Sequence, residues 1–246
     1  MSDITLYTRN ILETGTVTVT GDPDSGFPES RLYDRAISLF WKDTVTEAKN
    51  FVVDQGAVES LAVDFLAMHR HNFSGADMQW QYSNDNFSAD INDAVTDWNQ
   101  ADNSQIVKTI AAPVTQQYWR ATLASMANPK CGEIFMSYGR TFEIKASPSP
   151  VYGEKDNVQW NRTVGGLERS TKFGEERRVR EYGLFLSASE LTSFIAAMAE
   201  LNGYAKPFYI KDDEGIYFMC RLLSVPEPLG DHKTHKRVQL SVIEML

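Results

Sequence analysis

Before residue 147, short alternating or apolar segments recur with turns between them, and no long amphipathic helix interrupts the series. They cover residues 17–20, 50–54, 60–68, 78–82, 117–123 and 132–136. Strand side chains point alternately to opposite faces, so runs of this kind half-bury as strands, and several in succession predict a β-sandwich.

The pattern changes after Ser147-Pro148-Ser149-Pro150, which reads as a linker between two domains. Strand-like stretches over 158–164, 177–186, 207–210, 216–223 and 237–245 then surround one helical segment. Ser187-Ala188-Ser189-Glu190 is a capping box. Leu191, Phe194, Ile195, Met198 and Leu201 follow at helical spacing, and Asn202-Gly203 supplies the stop, placing a helix near 188–202. A strand–helix–strand unit against a mostly antiparallel sheet is an α+β module. The expected division is 1–146 for the sandwich, 147–157 for the linker and 158–246 for the second module. The fold class is mainly β: an N-terminal β-sandwich jelly roll followed by an α+β barrel-like module with one packed helix.

Charge narrows the function classes. Of the 24 Lys+Arg and 33 Asp+Glu, residues 1–146 hold 11 and 19, and residues 147–246 hold 13 and 14. With no basic stripe to release counterions from a phosphate backbone, nucleic acid is not an expected partner, and anionic membrane is disfavoured on the same ground. The start, Met1-Ser2-Asp3-Ile4-Thr5, has neither a basic nor an apolar leader-like stretch, and the apolar runs are too short to span a bilayer, so synthesis and folding in a cytosol are expected. A chain of this size buries roughly 70–75% of its extended surface without needing a staple. Cys131 and Cys220 lie in different segments and read as packed thiols.

A set of local patterns falls in one order along the first part. Pro28-Glu29-Ser30 with Leu32 and Asp34 comes first, then Trp41, Phe51-Val52-Val53-Asp54-Gln55-Gly56 and Leu61-Ala62-Val63-Asp64-Phe65. His71-Asn72-Phe73-Ser74-Gly75-Ala76, Gln79-Trp80-Gln81-Tyr82-Ser83-Asn84-Asp85, Tyr118-Trp119-Arg120 and Gly132-Glu133-Ile134 complete it. This series resembles the galactose-binding-like jelly roll of the discoidin, or coagulation factor 5/8 C-terminal, type. The resemblance implies that the Tyr-Trp-Arg strand pairs with the Glu-Ile strand. It also implies a role in binding sugars, lipid headgroups or proteins through loops at one end, with His71, Asn72, Phe73 and Phe27 as candidate ligand-binding residues. Some jelly rolls of this type hold a structural calcium between an early acidic loop and a late Glu, which implicates Asp34 and Glu133. Extracellular members commonly tie the domain ends by a disulfide; only Cys131 is present here.

The second part resembles a minor tail or distal-tail module of tailed bacteriophages. The residues that carry this are Gly165-Gly166-Leu167-Glu168-Arg169-Ser170, then Phe173-Gly174-Glu175-Glu176-Arg177-Arg178, the capped helix, and Gly203-Tyr204-Ala205-Lys206-Pro207-Phe208-Tyr209-Ile210. Such modules form rings around the tail axis. That implies subunit contacts, for which Arg177, Arg178 and Arg180 on one side and Asp212, Asp213 and Glu214 on the other are the candidates, with an exposed charged edge strand as the plain alternative.

Catalytic and cofactor chemistry finds little footing. There is no Gly-x-Ser-x-Gly elbow, Walker loop, Gly-x-Gly-x-x-Gly or His-Glu-x-x-His pattern. His69 and His71 would need Asp64 or Asp77 to complete a metal site, and His232 and His235 sit in a polar turn. Asp85, Asp90 and Asp93 lack the EF-hand spacing. No cofactor and no catalytic residue are therefore expected. The Phe27, Phe73 and Phe87 rings are either contact anchors or packed beneath their loops.

The expectation is a non-enzymatic structural protein of a phage virion, near the distal tail or tail tip and made in the host cytoplasm. Its partners would be its own copies in a ring, other tail proteins and a host-surface glycan. The alternative is a non-enzymatic carbohydrate-binding accessory protein.

Overall fold

The computed structural model describes residues 2–21, 24–36, 38–56, 60–144, 151–155, 158–162, 168–172, 177–202, 206–231 and 235–245. Strand β1 (Ser2–Tyr7) does not pair with the strands that follow it. Its neighbours are β12 (Arg140–Ile144) and β17 (Phe208–Lys211), with Leu6 opposite Arg140 and Ile210. Everything between forms a unit of its own. The chain thus divides into Arg9–Gly139 and a second unit of Met1–Thr8 with Arg140–Leu246.

This corrects the expected boundaries of 1–146 and 158–246. The sandwich is an insertion between two neighbouring strands of the other unit, and residues 2–7 and 140–144 belong to the sheet of that other unit. Residues 145–150, which hold the Pro/Ser linker motif, lie outside the described residues. Part of the expected linker is strand β13 (Val151–Lys155), paired with β16 (Arg177–Leu186).

Within 9–139 run β2 (Thr16–Val19), β3 (Trp41–Lys42), β4 (Lys49–Asp54), β5 (Ala62–His69), β6 (Asp77–Ser83) and β7 (Asn92–Asn99). They are followed by β8 (Ile106–Thr115), β9 (Tyr118–Leu123), β10 (Lys130–Cys131) and β11 (Glu133–Ser137). One antiparallel sheet has the order β2-β4-β9-β6-β7, a second β11-β5-β8, and β3 pairs with β10 alone. β4 and β9 alternate strictly, so Phe51, Val53, Trp119, Ala121 and Leu123 all turn to the core. Trp41 meets Phe51 edge-on at 5.1 Å, and Trp80 and Trp119 are wholly enclosed. Burying aromatic surfaces of this size is the main force holding the two sheets face to face.

The Tyr-Trp-Arg strand departs from its expected partner. β9 pairs with β4 and β6, while β11 pairs with β5 in the other sheet. All five side chains of β11 are buried, and residues 124–132 carry the chain across from the sheet of β9 to that of β11.

The second unit continues with β14 (Val158–Arg162), β15 (Glu168–Lys172), α1 (Ala188–Glu200), β18 (Tyr217–Leu222), β19 (Glu227–Asp231) and β20 (Lys236–Glu244). Its main sheet runs β12-β1-β17-β18-β20-β16-β13, with β19 also on β20. The sheet curls until β12 comes back against β16, giving a half-barrel. α1 packs on β12 and β16 through Phe194, Ala197 and Met198, and Phe142 meets Phe194 edge-on at 5.6 Å. The Ser187 capping box forms as expected, and Asn202 takes a left-handed φ of 46° at the stop. Ile195 is an exception to the predicted helix face. It is 59% exposed, because positions 194, 197, 198 and 201 define the apolar stripe and 195 lies one residue round from it. Cys131 and Cys220 are both free and buried.

Candidate functional site

The loops leaving the far end of β5 gather with the strands β3 and β10. Gly139, where the chain leaves the sandwich, lies at the other end of β5, its N–H donating to the Asp64 carboxylate at 2.9 Å. At the far end, Asn72 binds β10 twice and the loop before it once. Its N–H donates to the Lys130 carbonyl at 3.3 Å, its Oδ1 accepts from the Lys130 N–H at 2.8 Å, and its Nδ2 donates to the Asn128 carbonyl at 3.0 Å. Asn128 takes a left-handed φ of 48°, a conformation that Asn tolerates better than most residues.

A turn built on Asp24 sets Phe27 beside the same strands. The Asp24 N–H donates to the Lys42 carbonyl, and the Asp24 carbonyl accepts from the Phe27 N–H at 2.6 Å. Phe27 then stacks on Phe40, with ring centroids 4.9 Å apart and planes 21° from parallel. Three cations surround the stack: Arg31 at 5.3 Å and Lys42 at 5.8 Å from the Phe27 centroid, and Lys130 at 5.9 Å from that of Phe40. Both rings are half-buried, so each keeps part of its surface at the exterior.

The other ligand candidates are placed differently. Phe73 is completely buried, stacked against His71 at 4.9 Å and part of the core cluster. His71 is 4% exposed; its Nδ1 accepts from the Phe73 N–H at 3.1 Å, and its Nε2 lies 2.7 Å from the Ser104 carbonyl. Burial lowers the pKa of both His71 and His69, the latter to about 4. Of the four, Phe27 and Asn72 reach the loop cluster at Lys130, and His71 and Phe73 lie beneath it. Phe87 sits under Arg120, whose Cζ is 4.0 Å from its ring centroid.

Asp34 and Glu133 do come near one another, yet they do not fit a cation. The Asp34 carboxylate accepts from the Ala36 N–H at 2.8 Å, closing its own turn. Glu133 is buried, accepts from the Arg35 N–H at 3.1 Å and faces Asn10 Nδ2 at 3.4 Å. Burial pushes the Glu133 carboxyl well above its ordinary pKa, against the opposing pull of Arg35. The Arg35 guanidinium lies buried over the Phe135 ring and pairs with Glu13. Among the described residues no three His, Cys, Asp or Glu side chains converge to hold a metal ion. Asp85 accepts the N–H groups of Ser88, Ala89 and Asp90, and Asp93 accepts from Gln79 and Gln81, so those carboxylates organise their own loop and sheet.

In the second unit, Arg177 opens β16, and Arg178 Nε lies 3.5 Å from the Glu244 carboxylate. Asp212 is buried, its Oδ1 accepting from the N–H groups of Glu214 and Ile216, which closes the turn between β17 and β18. Glu214 is exposed. Burial first, then the charges of Asp212 and Asp213, raise the Tyr182 hydroxyl pKa, and Arg180 opposes them. Arg180, Asp212 and Asp213 therefore bear on one buried hydroxyl within a single chain. His235 stacks on Phe185 at 5.2 Å; His232 lies outside the described residues.

Sequence reasoning missed Phe40, Lys42, Lys130 and Arg31. The only local signal was an aromatic residue followed within two positions by a lysine, at Phe40 and Lys42.

No protein-family model matches the sequence, and no curated protein does. Among solved structures, the chain is similar to the CpGH89CBM32-6 domain of Clostridium perfringens, at 18% identity and a TM-score of 0.45 over 53% of this chain and 100% of that one. Chitosan-binding module 1 from the chitosanase/glucanase of Paenibacillus sp. IK-5 gives 18% and 0.44, over 53% and 99%. The family 32 carbohydrate-binding module of C. perfringens NanJ, solved with galactose, gives 14% and 0.42, over 55% and 99%.

Proposed function

We propose that this chain is a non-enzymatic carbohydrate-binding protein, in which a sandwich inserted into a scaffold unit recognises a sugar through the loops at the far end of β5. The observation that carries this reading is the half-buried Phe27–Phe40 stack, with Phe27 set by the Asp24 turn and the neighbouring Lys130 held by Asn72. A sugar ring has a C–H face, and a rigid aromatic floor with a few convergent polar groups is what such a ligand requires. The insertion suits this task, because variation in the loops leaves the pairing of β1 with β12 untouched. A glycan array with the intact chain and with F27A tests it. Binding to a saccharide class that is lost in F27A, with the thermal transition preserved, supports the reading; absence of binding to every saccharide overturns it.

A second reading concerns the scaffold. Ile195, Ile216, Leu223 and Val225 are large apolar residues exposed on that unit, which carries a net charge of −1 against −8 for the sandwich. Apolar surface with little self-repulsion favours packing against further copies or neighbouring proteins. This supports the tail-component reading, with a ring of copies in the virion, neighbouring tail proteins as partners and the sandwich directed to a host-surface glycan. Imaging of the particle tests it: density for this chain as a symmetric ring on the tail axis supports it, and absence from the particle overturns it.

A further inference from the structure

Lys42 and Lys130 are direct cross-strand partners in the β3–β10 ladder. Opposed residues of an antiparallel pair project from the same face, and like charges in that position destabilise the pair. Such juxtaposition is unexpected in a unit with nine basic and seventeen acidic residues, where a carboxylate partner is easy to supply. Among the described residues no carboxylate lies within 4.0 Å of the charged groups of Lys42, Lys130 or Arg31, although the charge of Arg31 does act on the nearby Asp34 carboxyl. The three cations instead flank the Phe27–Phe40 stack.

We infer that this site selects an anionic saccharide, one whose ring bears a carboxylate or an ester sulfate or phosphate. The inference rests on the carbohydrate-binding reading and adds the charge of the ligand to it. Bound anion neutralises the opposed lysines, so their repulsion in the free protein becomes attraction in the complex. Arg31 offers the planar fork suited to a carboxylate, and the two lysines act as point charges. The stack confines binding to ligands that also present an apolar face, which sets an acidic sugar apart from a simple anion. The acidic remainder of the sandwich repels extended polyanions such as nucleic acid, so selectivity has an attractive and a repulsive part.

The test is calorimetric titration of the intact chain with a uronic-acid oligosaccharide, a sulfated oligosaccharide, a neutral oligosaccharide of equal length, and single-stranded DNA. Each is run at low and at physiological salt, for wild type, K42Q/K130Q and F27A. An acidic oligosaccharide binding at least tenfold tighter than the neutral one supports the inference. So does a tenfold or greater loss in K42Q/K130Q whose thermal transition is unchanged or raised, as relief of like-charge repulsion predicts. The uronic and sulfated arms identify the acidic group. Neutral sugar bound as tightly as acidic, and unaffected in K42Q/K130Q, overturns the charge selectivity while leaving the carbohydrate reading standing. If no saccharide binds, or DNA binds as tightly as the acidic sugar, both fall. A lowered thermal transition in both K42Q/K130Q and the single variant K130Q marks the lysines as structural and overturns the inference.

Discussion

Arg140 and Glu200 form a two-pronged ion pair, Nη1 to Oε2 at 2.7 Å and Nη2 to Oε1 at 2.8 Å, at the position where the chain returns from the sandwich. Thr8, the last residue before the sandwich begins, donates its hydroxyl to the same Glu200 carboxylate at 2.5 Å. The C-terminal end of α1 thus holds both margins of the insertion together.

Replacing Glu200 by Ala leaves Arg140 and the Thr8 hydroxyl without this acceptor. Charge-assisted hydrogen bonds to a half-buried carboxylate contribute about 1–2 kcal/mol, discounted here for solvent screening. The expected outcome in hydrogen exchange is faster exchange of β1 and β12 amides, with β4 and β9 unchanged. Equal acceleration in both units would show that the clamp has no local role.

Lys49 and Asp43 form an ion pair of 2.8 Å with both side chains fully buried. Burial acts to raise the Asp43 pKa, but hydrogen bonds from Lys49 and from the Val45 N–H outweigh it and hold the carboxyl low. K49M strands a buried carboxylate and is expected to lower the urea-unfolding free energy by about 3–5 kcal/mol, with D43N/K49M recovering part of the loss. A K49M chain as stable as wild type would contradict the pairing. Gly21, with φ of 114°, faces the pair, and a Cβ there runs into both charged groups, so G21A is expected to weaken the same element.

Glu133 gives a pH dependence of definite sign. Its folded pKa is raised by burial, so between the unfolded value near 4.5 and the folded one the native state holds more protons than the unfolded chain. Its contribution to stability is therefore lost as pH rises through that window, on the order of 1 kcal/mol per pH unit. E133Q removes the titration. It is expected to be more stable than wild type at the alkaline end, with the difference narrowing toward pH 4.5. A deficit in E133Q that grows with pH would mean that Glu133 serves as an ionised partner of Arg35.

Strands whose side chains alternate between core and surface were legible in the sequence. β4, β6 and β9 carry Phe51/Val53, Met78/Trp80 and Trp119/Ala121 at period two, and β5 was legible as an apolar run, buried from Phe65 to Met68. The helix was legible because its cap is local. β7 and β8 were not, since most of their side chains are half-buried or exposed and leave no apolar period to read. The insertion was hidden for a different reason: β1 pairs with residues beyond the whole sandwich, and no composition break marks Thr8-Arg9 or Gly139-Arg140. At the candidate site, Phe27 and Asn72 could be named from a local motif. The opposition of Lys42 to Lys130 could not, because it depends on a two-residue ladder between strands distant in sequence.

Saccharide binding by the sandwich at the far end of β5 is read out by amide chemical-shift mapping of the intact, isotope-labelled chain. On titration with an acidic oligosaccharide, shifts are expected at residues 24–31, 38–43, 71–76 and 127–131 alone, saturating together with one affinity. Saturable shifts at residues 54–56, 60–61, 83–91 or 115–118, at the opposite end of the sandwich, with the Phe27, Lys42 and Lys130 amides unmoved, would contradict it.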